Sequence, residues 1–184
     1  MRCSENNLQL ITSRLILRPV RLEDFDGFAS TMAEFASSGS GYNVWVHFRY
    51  LAGCWHLDGF SKFSVLEKST GRYVGFVGPL PQERCVAPEI GWNIIKDQRG
   101  RGYATEAAFA VIEWVFKARD CNEIVHYIAA DNHISQSVAG KLGSHKGGPG
   151  EFPAFTTQDV GQDVEIWGQS REQWHQARLS SRTS

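Results

Sequence analysis

The chain reads as an α/β (α+β) domain with a mixed, mostly antiparallel central sheet and helices on both faces. Three observations carry that expectation. The hydrophobic period switches from helical to alternating near the middle of the chain. Two extended runs there are joined by a short Gly-containing turn. The second half then alternates strand, helix, strand, helix, a pattern that builds parallel crossovers. With 184 residues, 42% hydrophobic and 21% charged, there is material for one full core and too little for two domains. The expectation is a single domain over 1–184, with a core at about 8–168 and a polar, partly disordered tail at about 170–184.

The elements follow in order. Leu15-Ile16-Leu17-Arg18, closed by Pro19, reads as a first strand. Glu23-Asp24 open a helix on which Phe25, Phe28, Met32 and Phe35 recur at helical spacing. Ser37 to Gly41 is a Ser- and Gly-rich loop. A second amphipathic helix runs from Val44 to about Leu57, marked by Phe48, Leu51, Cys54 and Trp55 and stopped near Gly59. Phe60–Leu66 and Arg72–Val77 form a hairpin across Lys68-Ser69-Thr70-Gly71, with Pro79 and Pro81 ending the second run. A strand at Glu89–Lys96 follows, then a helix from about Gly102 to Ala118, a strand at Ile124–Ala130 and a short helix from about Ser135 to Leu142, stopped by Gly143. Gly147-Gly148-Pro149-Gly150 reads as a loop and Val160–Trp167 as a closing strand.

Charge and cysteine usage exclude several classes. A net charge of -1, from 19 Lys+Arg and 20 Asp+Glu, does not suit a dedicated nucleic-acid binder or an acidic disordered chain. Cys3, Cys54, Cys85 and Cys121 are scattered, with no Cys-x-x-Cys pair, so free thiols and no metal centre are expected. No apolar run reaches the ~18 residues of a membrane span, and Arg2 and Glu5 leave no signal-peptide core. The expectation is a soluble cytoplasmic protein without nucleic-acid or membrane partners; a homodimer is left open.

The most informative stretch is Glu89 to Glu106. Ile90, Trp92 and Ile94 alternate onto one sheet face, and Glu89, Gly91 and Asn93 onto the other. The adjacent Ile94-Ile95 breaks the alternation and suggests a bulge or the end of pairing. Arg99-Gly100-Arg101-Gly102 then feeds directly into a helix. Glycines let backbone N–H groups approach a ligand, and a helix start offers unpaired N–H donors with partial positive charge. Lys96, Arg99 and Arg101 add full charges, so the loop reads as an anion cradle. One phosphate ligand to weigh is a dinucleotide, since Gly100-x-Gly102 is part of that fingerprint and Asp131 ends the next strand. Thr105 at the third glycine position speaks against it.

The second reading is a resemblance. Arg99-x-x-Gly102-x-Ala104 resembles the acetyl-coenzyme A signature of the GNAT superfamily of N-acetyltransferases. Ser13 to Arg18 followed by Glu23-Asp24 resembles the first strand and helix of its RimJ/RimL branch of ribosomal-protein N-terminal acetyltransferases. Thr70-Gly71-x-x-x-Gly75-Phe76-Val77-Gly78, Glu89-Ile90-Gly91-Trp92, Gly100 to Ala107 and Asn132-x-x-Ser135-x-x-Val138-Ala139-x-Lys141-Leu142-Gly143 complete the set in order, over roughly residues 10 to 145. The resemblance implies a GNAT-like fold and a transferase that moves acetyl from acetyl-coenzyme A to a primary amine in a ternary complex, with no metal. The alternative is a catalytically silent acyl-coenzyme A-binding module.

The resemblance also implies roles. Glu89, on the strand before the cofactor loop, is the candidate base. A backbone N–H near Ile94 or Ile95 would polarise the thioester carbonyl. Lys96, Arg99, Gly100, Arg101, Gly102, Tyr103, Ala104 and Thr105 would hold the coenzyme. Ser135 either hydrogen-bonds the thiol or caps its helix, and Asn132 either touches the pantetheine arm or caps. The Tyr that many relatives use to protonate the thiolate has no counterpart in Ser144 to Ala154. The six histidines lack partners at useful spacing and read as surface or packing residues. Trp92 and Trp167 are candidates for lining the acceptor site, bounded by the first two helices, the loop near Ser37 to Trp45 and the Gly147 to Phe155 stretch. A protein N-terminus, a small amine, an amino acid and an antibiotic remain open as acceptor.

Overall fold

The computed structural model describes residues 8–36, 43–80, 87–150 and 163–180. The loop expected at Ser37–Gly41, Pro81 as a strand end, Cys3, Cys85, the side chain of Phe35 and the stretch from 151 to 162 lie outside these residues. An eight-stranded sheet runs β1 (Leu10–Ile11), β2 (Leu15–Pro19), β3 (Phe63–Glu67), β4 (Tyr73–Leu80), β5 (Glu89–Ile94), β6 (Glu123–Ala129), β8 (Val164–Ser170), β7 (His145–Gly150) in spatial order. Every neighbouring pair is antiparallel except β5 and β6. The helices are α1 (Phe25–Ala36), α2 (Val44–Asp58), α3 (Tyr103–Ala118), α4 (His133–Lys141) and α5 (Arg171–Ser180).

Two apolar layers explain why helices cover both faces. α3 sets Ala107, Ala108, Val111, Ile112 and Val115 against Leu15, Leu17, Val65, Val77 and Ile90, all buried. Its small alanines bring the helix axis close to the strands. On the opposite face α1 and α2 place Phe28, Met32, Phe48 and Leu51 over Phe76 and Leu80 of β4. A buried polar joint fixes the entry to α1. Asp24 takes Arg18 through both guanidinium nitrogens at 2.8 and 2.9 Å and also accepts Ser64 Oγ at 2.7 Å.

Several expected boundaries move for physical reasons. α1 begins after a 3-10 turn at Leu22–Asp24. β4 continues through Pro79 to Leu80: β3 begins opposite Val77, so nothing beyond it needs the N–H that Pro79 lacks. β5 ends at Ile94, and Lys96–Gln98 form a 3-10 turn. The Gly147–Gly150 run, expected as a loop, is part of edge strand β7, which pairs with β8. The expected tail is corrected over 171–180, which form α5. Its Trp174 is buried against Phe109 and Phe116. Arg171 donates to the carbonyls of Phe116, Arg119 and Cys121 at and just beyond the end of α3, Phe116 belonging to the last turn, whose carbonyls a helix leaves unpaired.

Candidate active site

The site begins where the sheet opens. β5 and β6 are registered at a single pair, Glu89 with Val125, supported by Val125 N–H donating to Pro88 O at 3.1 Å. Beyond it the strands part, and a cleft of about 160 Å³ passes between them. Because side chains alternate along β5, the cleft has two ends. Trp92, His126, Asn132 and Ser135 wall the end beside α4; Glu89, Gly91, Lys62, Phe76, Met32 and His47 wall the end beside α1 and α2.

A side-chain relay stands where β6 backbone would otherwise pair. His126 Nδ1–H donates to Ile90 O at 2.7 Å. Its Nε2 accepts Ser144 Oγ at 3.0 Å, and Ser144 Oγ accepts Gln169 Nε2 at 2.9 Å. A carbonyl can only accept, which fixes the Nδ1–H tautomer. Burial pushes the His126 pKa down to about 4, against the opposing effect of Ile90 O. The Trp92 ring lies 4.9 Å from the His126 ring and donates its Nε1–H to Ser135 Oγ at 3.3 Å. Ser135 N in turn donates to Asn132 Oδ1 at 3.0 Å. Asn132 therefore caps α4, and the Ser135 hydroxyl is held by Trp92 rather than spent as a cap.

At the far end of β5, Ile95 N–H donates to Val74 O on β4 at 3.0 Å. Backbone direction alternates along a strand, so Ile94 turns its N–H and carbonyl to the other edge, toward the opening. Arg99 Nε holds that carbonyl at 2.9 Å. Gly100 and Gly102 then adopt φ of 77° and 79°, a region that costs other residues ~1–2 kcal/mol. Gly102 is the N-cap of α3, whose first internal bond runs from Glu106 N to Gly102 O at 3.1 Å. The N–H groups of Tyr103, Ala104 and Thr105 therefore face outward from the helix start, with Lys96, Arg99 and Arg101 exposed around them.

Two of these residues serve differently from a plain ligand contact. Tyr103 is buried and donates its hydroxyl to Glu67 Oε1 at 2.6 Å, so what it can offer a ligand is its backbone. Glu106 clamps the cradle to the β1–β2 turn, accepting Thr12 Oγ1 at 2.6 Å, Arg14 N at 2.8 Å and Arg14 Nε at 2.7 Å. These bonds hold its carboxyl below the usual range against the cost of burial. Glu89 is 7% exposed and lines the cleft.

The structure adds residues that the linear reading set aside. His126 had a signal, since Ile124, His126 and Ile128 alternate onto one buried face. His47 had another, four residues before Leu51 on the apolar side of α2. Lys62 had none. Trp167 stands on β8, its indole donating to Glu165 Oε2 at 3.1 Å, and is not among the described residues that wall the cleft. Nor do the described residues contain three or more His, Cys, Asp or Glu grouped to hold a metal. None of their helices is long and apolar enough to cross a membrane.

A mixed sheet that splits after one parallel pair, followed by the glycine-marked start of α3, is the architecture in which these residues are set. The sequence profile described as acetyltransferase (GNAT) domain matches residues 14–145, and the chain belongs to that family. The dinucleotide reading falls with this assignment. Among relatives, an uncharacterized protein YkkB of Bacillus subtilis (strain 168) is 35% identical over 89 residues, covering 47% of this chain and 52% of that protein. The chain thus spans about half the length of the curated relatives it matches. An acetyltransferase from Agrobacterium tumefaciens str. C58 superposes with a TM-score of 0.71 at 27% identity, over 89% of this chain and 94% of that one. RimL, a ribosomal α-N-protein acetyltransferase solved with coenzyme A, shares the fold at 14% identity and a TM-score of 0.70, over 89% of this chain and 98% of its own.

Proposed function

We propose that the chain is an acetyl-coenzyme A-dependent N-acetyltransferase acting on a primary amine by direct attack in a ternary complex. The observation that carries this is the open β5–β6 edge, with the α3 anion cradle at one end and Glu89 at the other. The coenzyme A bound to RimL supports the same use of the fold. The cradle fits the co-substrate: outward N–H groups of Tyr103, Ala104 and Thr105 with Lys96, Arg99 and Arg101 suit a pyrophosphate, and the opening suits a narrow pantetheine arm passing Asn132.

The chemistry then follows from the residues. An amine with a pKa between ~8 and ~10.4 arrives protonated at neutral pH, and Glu89 takes that proton. The nitrogen attacks the thioester carbonyl carbon, a C–N bond forms, and the oxygen takes up negative charge. The Ile94 N–H donates to that oxygen. As the C–S bond breaks, the remaining ammonium proton ends on sulfur. Ser135 hydrogen-bonds the departing thiolate: its oxygen is occupied by Trp92 Nε1–H, which leaves its own hydrogen to donate. This arrangement dispenses with the Tyr that Ser144–Ala154 lacks.

The test is thiol release from acetyl-coenzyme A across a panel of small amines and peptide N-termini. Glu89→Gln should lower kcat about 100-fold or more at neutral pH, with part of the loss recovered at a pH where the amine deprotonates itself. Coenzyme A that raises the melting temperature while no amine releases thiol would establish the silent module instead.

A further inference from the structure

We propose that the acceptor carries a carboxylate beside its amine, as a free amino acid does, and that Lys62 binds this carboxylate. The inference rests on Glu89 receiving the amine's proton and extends it to the class of acceptor. Lys62 lies immediately before β3 and is 9% exposed, yet it lines the cleft. Its Nζ stands 3.1 Å from the point a Cβ on Gly91 would occupy, and Glu89 Oε1 stands 3.8 Å from that same point. An ammonium and a carboxylate thus converge on the one position of β5 that brings no side chain. The Phe76 ring lies 5.3 Å from Nζ. Met32 and Leu80 complete an apolar wall around them.

The charges in this pocket do not suit a plain alkyl amine. Among the described residues that wall the cleft, Lys62 is the one lysine or arginine and Glu89 the one carboxylate. His47, which faces the same space, has its pKa lowered to about 4 by burial and then by Lys62, so it is neutral near pH 7. Burial disfavours the Lys62 ammonium and the Glu89 carboxylate favours it. When Glu89 takes the acceptor's proton, that counter-charge disappears and Lys62 is left as a buried cation, an expensive state. A carboxylate two bonds from the amine would enter with the acceptor and stay through the transfer. Amine toward Glu89 and carboxylate toward Lys62 also fixes the nitrogen's approach, and the apolar wall is left for a hydrocarbon side chain.

The experiment compares acceptors with and without the carboxylate, the ratio between wild type and variant cancelling their different amine basicities. Each standard amino acid is assayed beside its carboxamide, together with peptide N-termini and leucine's decarboxylated counterpart, 3-methylbutylamine, using the full chain, Lys62→Met and Lys62→Arg. Thermal shift by coenzyme A is measured for all three. We expect at least one apolar amino acid to exceed its amide tenfold or more in kcat/KM. Lys62→Met should cost the amino acid at least tenfold more in kcat/KM than its amide, chiefly through KM, and Lys62→Arg should restore part of that preference. Equal losses on amino acid and amide would overturn the proposal and make Lys62 a partner of Glu89 alone. A preference for amides or peptide N-termini, or no release from any pair, would also overturn it. A wild-type chain that coenzyme A does not stabilise would remove the acetyl-transfer reading itself, which separates the two failures. If Lys62→Met lost its coenzyme A shift by unfolding, Lys62→Arg and the wild-type amino acid-to-amide ratio would still decide.

Discussion

His126 shows how one side chain sets the geometry of the opening and, with it, a pH response. The unfolded chain binds a proton at this imidazole near the ordinary 6.5, whereas the folded chain refuses it until about 4. Between those values the unfolded state carries more protons, so stability falls as pH falls. The contribution is complete above about pH 6.5 and lost by about pH 4, up to ~3 kcal/mol. Urea unfolding between pH 4 and 7 should therefore give a shallower slope for His126→Asn than for the wild type, since Asn keeps a donor toward Ile90 O and does not titrate. Identical slopes would place the sensitivity elsewhere, His47 being the first candidate. The buried position of His126 was legible from alternation with Ile124 and Ile128. Its partners were not, because Ser144 lies 18 residues further on, and a strand's pattern gives its face without naming what meets it there.

At the level of elements, legibility followed the density of apolar contacts. α3 was readable to within a residue, because its alanines and valines repeat at helical period and Gly102 marks its start. The β3–β4 hairpin was readable through its turn. α5 was not: its polar sequence offers chiefly Trp174, and one large residue makes no period. Yet that residue is 2% exposed, and its indole donates to Glu113 Oε2 at 3.2 Å. Trp174→Ala should cost ~3–5 kcal/mol, read as a drop in the urea midpoint with an unchanged m-value. A loss below about 1 kcal/mol would mean that α5 is an appendage and that 170–184 behaves as the polar composition suggests. β7 escaped detection because its glycines carry no pattern of their own; among the described strands it pairs with β8.

For the whole molecule, a net charge of -1 conceals a division of labour that explains which half of the site was legible. The half proposed for the coenzyme is contiguous, since Lys96 to Thr105 is one loop and one helix start. The half proposed for the acceptor is assembled from Met32 of α1, His47 of α2, Lys62 before β3, Phe76 of β4 and Glu89 of β5, which line one cleft, and no linear motif spans five elements. The cationic half should reveal itself by salt. With Lys96, Arg99 and Arg101 all exposed, their attraction for a coenzyme is screened over ~10 Å at 0.1 M ionic strength and ~3 Å at 1 M. The Kd for coenzyme A should thus rise severalfold between those conditions. Lys96→Ser and Arg101→Ser should weaken binding at low salt, flatten that dependence and leave kcat nearly intact, because neither side chain reaches the reacting centre. Arg99→Ala should differ in kind. Its Nε holds Ile94 O at 2.9 Å, so losing it releases the peptide that presents the oxyanion donor, and kcat should fall along with affinity. Equal, purely affinity-based losses for all three would show that Arg99 acts only as a charge, and the role of Ile94 would then have to be assigned elsewhere on β5.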